Sequence, residues 1–254
     1  MILTSKNNPF IKETATLKDK KGRRQLGLFL VEGVKMAREC QKSGLEIERV
    51  IVAESFYQSA AYAEFSTQET VCVADDVFRF LSDEKTPQGV LCRVKIPERR
   101  IREPQNCCLI LDGVADPGNV GAIIRSANAA GYTEVYLTDD CADPYSPKAV
   151  RASMSGLFFT TLYQGSREEL LSTMQDTPIV VADMGGENAF SFSAPQKFAL
   201  VIGNEANGVS SVLSTAARYT VKIPMSVTQE SLNAAVSAGI LMYLLKKEYF
   251  STIE

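Results

Sequence analysis

The chain of 254 residues contains no histidine and no tryptophan. Without imidazole there is no histidine base, no Ser-His or Cys-His nucleophile and none of the usual zinc sites. The six cysteines, Cys40, Cys72, Cys92, Cys107, Cys108 and Cys141, show no C-x-x-C spacing, so no metal is expected. A G-x-G-x-x-G run and a Gly-Lys pair are both missing, which argues against a dehydrogenase and a P-loop ATPase. The longest apolar-leaning stretch, residues 232–245, contains Asn233 and Ser237 and is too short for a bilayer, so no membrane partner is expected. The first 21 residues are polar and basic and lack the apolar segment of a secretory leader. With scattered cysteines, that suits a reducing interior, and a cytoplasmic location is expected.

What is present describes a globular chain. Apolar residues make up 45% and charged residues 22%, and the length allows a sizeable core. Charge is unevenly spread. Residues 1–105 carry 18 basic against 15 acidic side chains, and residues 106–254 carry 9 against 15. Within the first 24 residues the balance is seven to two. A basic amino-terminal arm on an acidic body fits contact with nucleic-acid phosphates, with Arg23, Arg24, Arg99, Arg100 and Arg102 as further candidates. The competing reading is a solvated, flexible terminus.

The best boundary is Ile96–Asn106, where two prolines and five charges make a poor core and a good linker. Residues 1–100 then form a small α/β domain of about four strands, with strands at 28–31, 50–52, 71–73 and 90–94 and a helix at 34–43. Residues 106–254 form a second domain in which apolar strands alternate with helices. Its strands are expected at 108–111, 135–137, 179–182, 198–202 and 219–223, and its helices at 117–130, 166–174 and 231–247. That alternation implies a parallel sheet covered on both faces, with ligands beyond the carboxyl ends of its strands.

Three of the loops at those ends carry unusual residues. The first runs from Asp112 to Arg125, with Pro117 suited to a helix's first turn and Gly118 and Gly121 allowing close approach. Arg125 stands among Ile123, Ile124 and Ala127, and a guanidinium on an apolar helix asks for an anionic partner. A structural ion pair is the plain alternative. The second, Gly203-Asn204-Glu205-Ala206-Asn207-Gly208, is a tight turn with exposed backbone N–H groups around a carboxylate. The third runs from Ile223-Pro224-Met225 to Ser231-Leu232-Asn233 and opens the last helix, which Ser231 or Thr228 can cap. Asn233, just inside that helix, asks for a hydrogen-bonding role.

In this order and spacing the three loops resemble the signature motifs of the SpoU (TrmH-like) RNA 2′-O-ribose methyltransferases, of the SPOUT class. Asn119, Gly121 and Arg125 match the first motif. Gly203, Glu205 and Gly208 match the second, and Ile223, Pro224, Met225, Ser231, Leu232 and Asn233 the third. Val227 stands where the family commonly has glycine. The amino-terminal half is similar to the small L30e-like substrate-binding domain that many members carry. The resemblance implies a parallel α/β sheet with a deep carboxyl-terminal trefoil knot. It implies S-adenosylmethionine as cofactor, held by Gly203, Asn204, Ile223, Met225, Leu232 and Asn233. It gives Arg125 the central catalytic role, supported by Asn119, Glu205, Ser231 and Asn233. It also implies a homodimer acting on RNA, with ribosomal RNA favoured over transfer RNA. A noncatalytic RNA-binding or ribosome-assembly factor of the same fold is the alternative.

Overall fold

The apolar runs assemble into two sheets in the computed structural model, which describes residues 2–228 and 231–251. Two units result. The first comprises residues up to Glu98 together with Tyr145–Arg151, and the second comprises Arg99–Pro144 and the residues from Ala152 onward.

The first unit has five strands: β1 (Ile2–Leu3), β2 (Leu28–Glu32), β3 (Ile47–Ala53), β4 (Thr70–Val73) and β5 (Val90–Lys95). They lie in the order β1-β4-β3-β5-β2, with β5 antiparallel to both β3 and β2. Val50, Ile51, Val52, Leu91 and Cys92 are wholly buried, as expected of central strands that read as unbroken apolar runs.

The basic amino terminus is folded, not a flexible arm. Ile2 and Leu3 pair in parallel with Cys72 and Val73, and helices follow at Pro9–Thr16 and Lys20–Leu26. Asn8 caps the first of these by accepting the Phe10 N–H. The second ends on Gly27, which takes the left-handed conformation usual at helix ends. Arg23 is only 3% exposed and donates to the Leu17 and Lys18 carbonyls at 2.8 Å each, so it is unsuited to phosphate contact. Lys12, Lys20, Lys21 and Arg24 remain exposed.

The second unit is a six-stranded sheet of β6 (Cys108–Asp112), β7 (Glu134–Thr138), β8 (Thr161–Gly165), β9 (Ile179–Asn188), β10 (Ala199–Gly203) and β11 (Tyr219–Lys222). All five pairings are parallel, in the order β11-β9-β10-β6-β7-β8. Cys108, Ile110, Tyr136, Ala199 and Val201 pack in one core cluster with Leu170 and Leu213 from the covering helices. β10 thus lies between β9 and β6, and its carboxyl end is brought beside that of β6. Between Val181 and Glu187, β9 bulges away from β11 and sends Met184 into solvent at 52% exposure. Arg102, another candidate for phosphate, instead donates to the Tyr163 hydroxyl at 2.7 Å and pairs with Glu134.

Candidate active site

The carboxyl end of β6 leads through Asp116 into the Pro117–Ala129 helix. Asp116 caps that helix by accepting the Asn119 N–H at 3.0 Å, and Pro117 occupies its first position, where no N–H is needed. This places Asn119 in the first helical turn, facing the turn that follows β10.

That second turn is a closed loop of backbone. Asn204 and Gly208 exchange two N–H···O bonds of 2.9 Å. A Cβ on Gly203 would lie 2.3 Å from the Gly208 carbonyl carbon, so only glycine permits the crossing. The Asn204 side chain accepts the Ala206 and Asn207 N–H groups and donates to the Gly113 carbonyl at 2.7 Å. Glu205 at the tip accepts from the Asn119 amide at 2.7 Å and from the Ala115 N–H at 3.3 Å. Partial burial pushes its carboxyl up, but hydrogen bonds from Asn119 and from the Glu205, Ala115 and Asp116 backbones outweigh this and hold it below the ordinary range.

The third loop closes the arrangement, with one correction. The last helix spans Ala234–Leu245, shorter than 231–247, and its cap is Asn233, not Ser231 or Thr228. Asn233 Oδ1 accepts the Ala235 and Val236 N–H groups, and its Nδ2 donates to Asn119 Oδ1 at 2.9 Å. The polarity that looked out of place inside an apolar helix therefore sits at its start, where asparagine is favoured. Gln229 and Glu230, in the same loop, lie outside the described residues.

Gly203, Asn204, Glu205, Ile223, Met225, Ser231 and Leu232 line one pocket of about 270 Å³. Its wall also includes Ala182, Asp183 and Met184 from the β9 bulge, Lys222, and Ser237 and Leu241 of the last helix. The β9 contribution was missed in the sequence because the apolar run ends at Ala182 and nothing local marks the bulge. A mostly apolar pocket with a few polar side chains, Asp183, Asn204, Lys222 and Ser231, on its wall fits a flat, uncharged heterocycle such as adenine. Asn119, Glu205 and Asn233 form a hydrogen-bonded row beside it.

Arg125 does not line this pocket. It is exposed, six residues beyond Asn119 on the same helix and rotated away from it by the 3.6-residue turn. Among the described residues no carboxylate pairs with it, so the structural ion pair is not formed. No group of three or more potential metal ligands occurs among the described residues.

Residues 106–243 match the SpoU rRNA Methylase family, and residues 8–92 match the MRM3-like substrate binding domain. The chain is 28% identical over 248 residues to the Bacillus subtilis 23S rRNA (guanosine(2553)-2′-O)-methyltransferase RlmP, covering 96% of this chain and 98% of that protein. It is 30% identical over 259 residues to a Streptomyces viridochromogenes 23S rRNA (uridine(2479)-2′-O)-methyltransferase, covering 95% and 90%. Among solved structures, the SpoU methyltransferase AviRb of Streptomyces viridochromogenes, in complex with AdoMet, superposes with a TM-score of 0.89. Identity there is 29%, over 96% of this chain and 99% of that one. An AdoMet-bound rRNA methyltransferase from Sinorhizobium meliloti superposes at 0.87 with 25% identity, over 98% of both chains.

Proposed function

The chain belongs to the SpoU rRNA Methylase family, and we infer from that premise that it methylates a ribose 2′-hydroxyl of ribosomal RNA, using S-adenosylmethionine. The observation that carries the reading is that the second and third motif loops line one pocket, while the Asn233–Asn119–Glu205 row ties the first loop to both of them. An intact row favours an active enzyme over a noncatalytic assembly factor.

S-adenosylmethionine supplies an electrophilic methyl group on a sulfonium whose departure leaves a neutral thioether, so no Lewis acid is required. Gly203, Asn204, Ile223, Met225, Leu232 and Asn233 would hold it, through the backbone groups of the second and third loops. The demanding partner is the ribose hydroxyl, a very weak acid. A guanidinium offers donors and no acceptor, so Arg125 serves as a fixed positive charge, not as a base. We assign it to the adjoining phosphate and to the negative charge that grows on the attacking oxygen. Glu205, held below the ordinary carboxylate range, is a poor proton acceptor. Its work is to orient Asn119, and Ser231 lies on the pocket wall where ribose or phosphate would enter.

Because Arg125 is exposed and outside its own chain's pocket, we assign it to the pocket of a second copy in a homodimer. Val236 and Tyr243 on the last helix, 50% and 45% exposed, support such a face. The same reading carries the carboxyl-terminal knot, supported by the last helix packing back on Tyr132, whose hydroxyl donates to the Met242 carbonyl at 3.2 Å. Six buried, unpaired cysteines suit the cytoplasm. The described helices are none of them long and apolar enough to cross a membrane.

The test is transfer of labelled methyl from S-adenosylmethionine to ribosomal RNA from cells lacking this protein, followed by mapping of the modified ribose. Transfer to a single ribose is expected. RNA binding without cofactor binding or transfer would support the noncatalytic factor instead, and transfer confined to transfer RNA would move the substrate.

A further inference from the structure

Behind the Gly203–Ser210 turn lies a chain of polar contacts that the three motif loops do not explain. Asp112, the last residue of β6, is 1% exposed. One carboxylate oxygen accepts the Ser210 N–H at 2.6 Å, and the other accepts Arg167 Nε at 2.7 Å. Arg167 Nη2 donates onward to Asp140 at 2.7 Å. The other oxygen of Asp140 accepts the Thr138 hydroxyl at 2.6 Å, and that hydroxyl accepts the Gly113 N–H at 2.8 Å. The Gly113 carbonyl then takes the Asn204 amide, which returns the chain to the pocket wall.

The placement of Arg167 is costly unless it serves this purpose. It is the first residue of the Arg167–Thr173 helix, where the helix dipole favours acidic groups, and Glu168 and Glu169 follow it. Ser166 and Glu169 form a capping box that holds the start of this helix and so fixes where the guanidinium begins. Gly113 keeps the cluster tight. Its φ is +66°, and a Cβ there would lie 3.2 Å from Asp140 Oδ2 and 3.4 Å from Arg167 Nη2. Burying a carboxylate as deeply as Asp112 is costly without a partner, and Arg167 is the cation that meets it. Without Arg167, Asp112 would turn toward water and release the Ser210 N–H, and the turn would lose its anchor at that end.

We propose that Arg167 is a positioning residue for methyl transfer: through Asp112 it holds the Gly203–Ser210 turn in the shape that binds S-adenosylmethionine. The proposal rests on the cofactor reading of the pocket. Arg167 touches neither the pocket nor the reacting atoms, so its effect is read in cofactor affinity and not in RNA affinity.

The experiment uses the full chain and three variants, Arg167→Met, Arg167→Lys and Asp140→Asn. Titration calorimetry gives the Kd for S-adenosylmethionine, gel shift gives the Kd for ribosomal RNA, and thermal melting without ligand reports the fold. Arg167→Met is expected to raise the cofactor Kd about tenfold or more, because it leaves a buried carboxylate unpaired. RNA Kd should stay within about twofold. Arg167→Lys should recover part of the loss, since an ammonium can meet Asp112 but lacks the fork that also reaches Asp140. Asp140→Asn should fall between wild type and Arg167→Met. A cofactor Kd within about twofold of wild type in Arg167→Met, or a parallel loss of RNA and cofactor affinity, overturns the proposal. If Arg167→Met does not fold, unchanged cofactor affinity in both milder variants overturns it. Wild-type protein is titrated first. Failure of wild type to bind the cofactor defeats the functional reading itself, whereas normal wild-type binding with unaffected variants defeats only the role of Arg167.

Discussion

The amide of Asn233 donates to the amide oxygen of Asn119 at 2.9 Å, and so ties the cap of the last helix to the first turn of the Pro117–Ala129 helix. Asn119 in turn spends its own amide on Glu205, so its orientation is set from both sides. Neither asparagine has a freely exchangeable oxygen and nitrogen. Asn119→Asp removes the donor and sets a second carboxylate against Glu205. Cofactor affinity should fall about tenfold or more at neutral pH, and Asn119→Ala should lose less because it adds no repulsion. Calorimetry on the two variants decides it. Equal losses would mean that Glu205 does not depend on an amide partner.

Glu205 also sets a pH signature. Its carboxyl is held below the ordinary value of 4.5, chiefly by hydrogen bonds that together outweigh partial burial. A depressed carboxyl contributes stability that is present above its unfolded value and is lost as pH falls through the folded one. The melting difference between wild type and Glu205→Gln should therefore stay level from about pH 8 to 5 and shrink only below 4.5. A difference that faded between about pH 8 and 6 would place its source in another group.

Arg125→Lys should leave the fold intact and lower methyl transfer about a hundredfold. An exposed side chain carries little stability, while a lysine lacks the planar fork that can hold a phosphate and face a growing oxyanion together. Single-turnover methyl transfer with saturating cofactor measures this. Near wild-type turnover would remove Arg125 from the mechanism.

The strands and the motif loops were legible because their signals are local. Apolar runs at 108–111 and 198–202 became β6 and β10 within a residue or two, and Gly203 and Gly208 sat where a tight backbone crossing demands them. Contacts between distant positions left no local trace. Arg167 and Asp112 are 55 residues apart, and no periodicity links them. The basic run at 20–24 likewise gave no sign that Arg23 turns inward to cap the carbonyls of Leu17 and Lys18 while Arg24 stays in solvent. Asn233 read as an oddity within a helix because the apolar pattern runs on through Leu232, one residue before the cap. Val227, which departs from the motif that the third loop resembles, is fully exposed. Among the described residues Met154 is the one non-glycine with positive φ, so the backbone at Val227 does not require glycine.

A homodimer should sediment at about twice the chain mass of 27.8 kDa. Val236→Glu tests the face without harming the helix beneath it. Position 236 is the third residue of the last helix, where glutamate suits both the capping box and the dipole. The side chain is half exposed and does not line the pocket. The variant should run as a single chain, bind cofactor normally and lose most methyl transfer. A wild-type single chain with full activity would sink the assignment of Arg125 to the second pocket.

Capture of RNA should be separable from chemistry through the amino-terminal helices. Lys12, Lys20, Lys21 and Arg24 are exposed in the first unit and belong to none of the three motif loops. Arg23 is left out of the set because it is buried and would report on folding. If these four side chains meet phosphates, each alanine replacement releases one contact, and the salt dependence of RNA binding should flatten by roughly one unit of slope per contact. The fourfold variant should then show a strongly raised KM for RNA, an unchanged Kd for S-adenosylmethionine and an unchanged melting temperature. Titration of both ligands at two salt concentrations reads all of this. An RNA affinity and slope equal to wild type would remove this surface from the RNA interface, whereas a fall in cofactor affinity would show that the substitutions disturb more than the face they occupy.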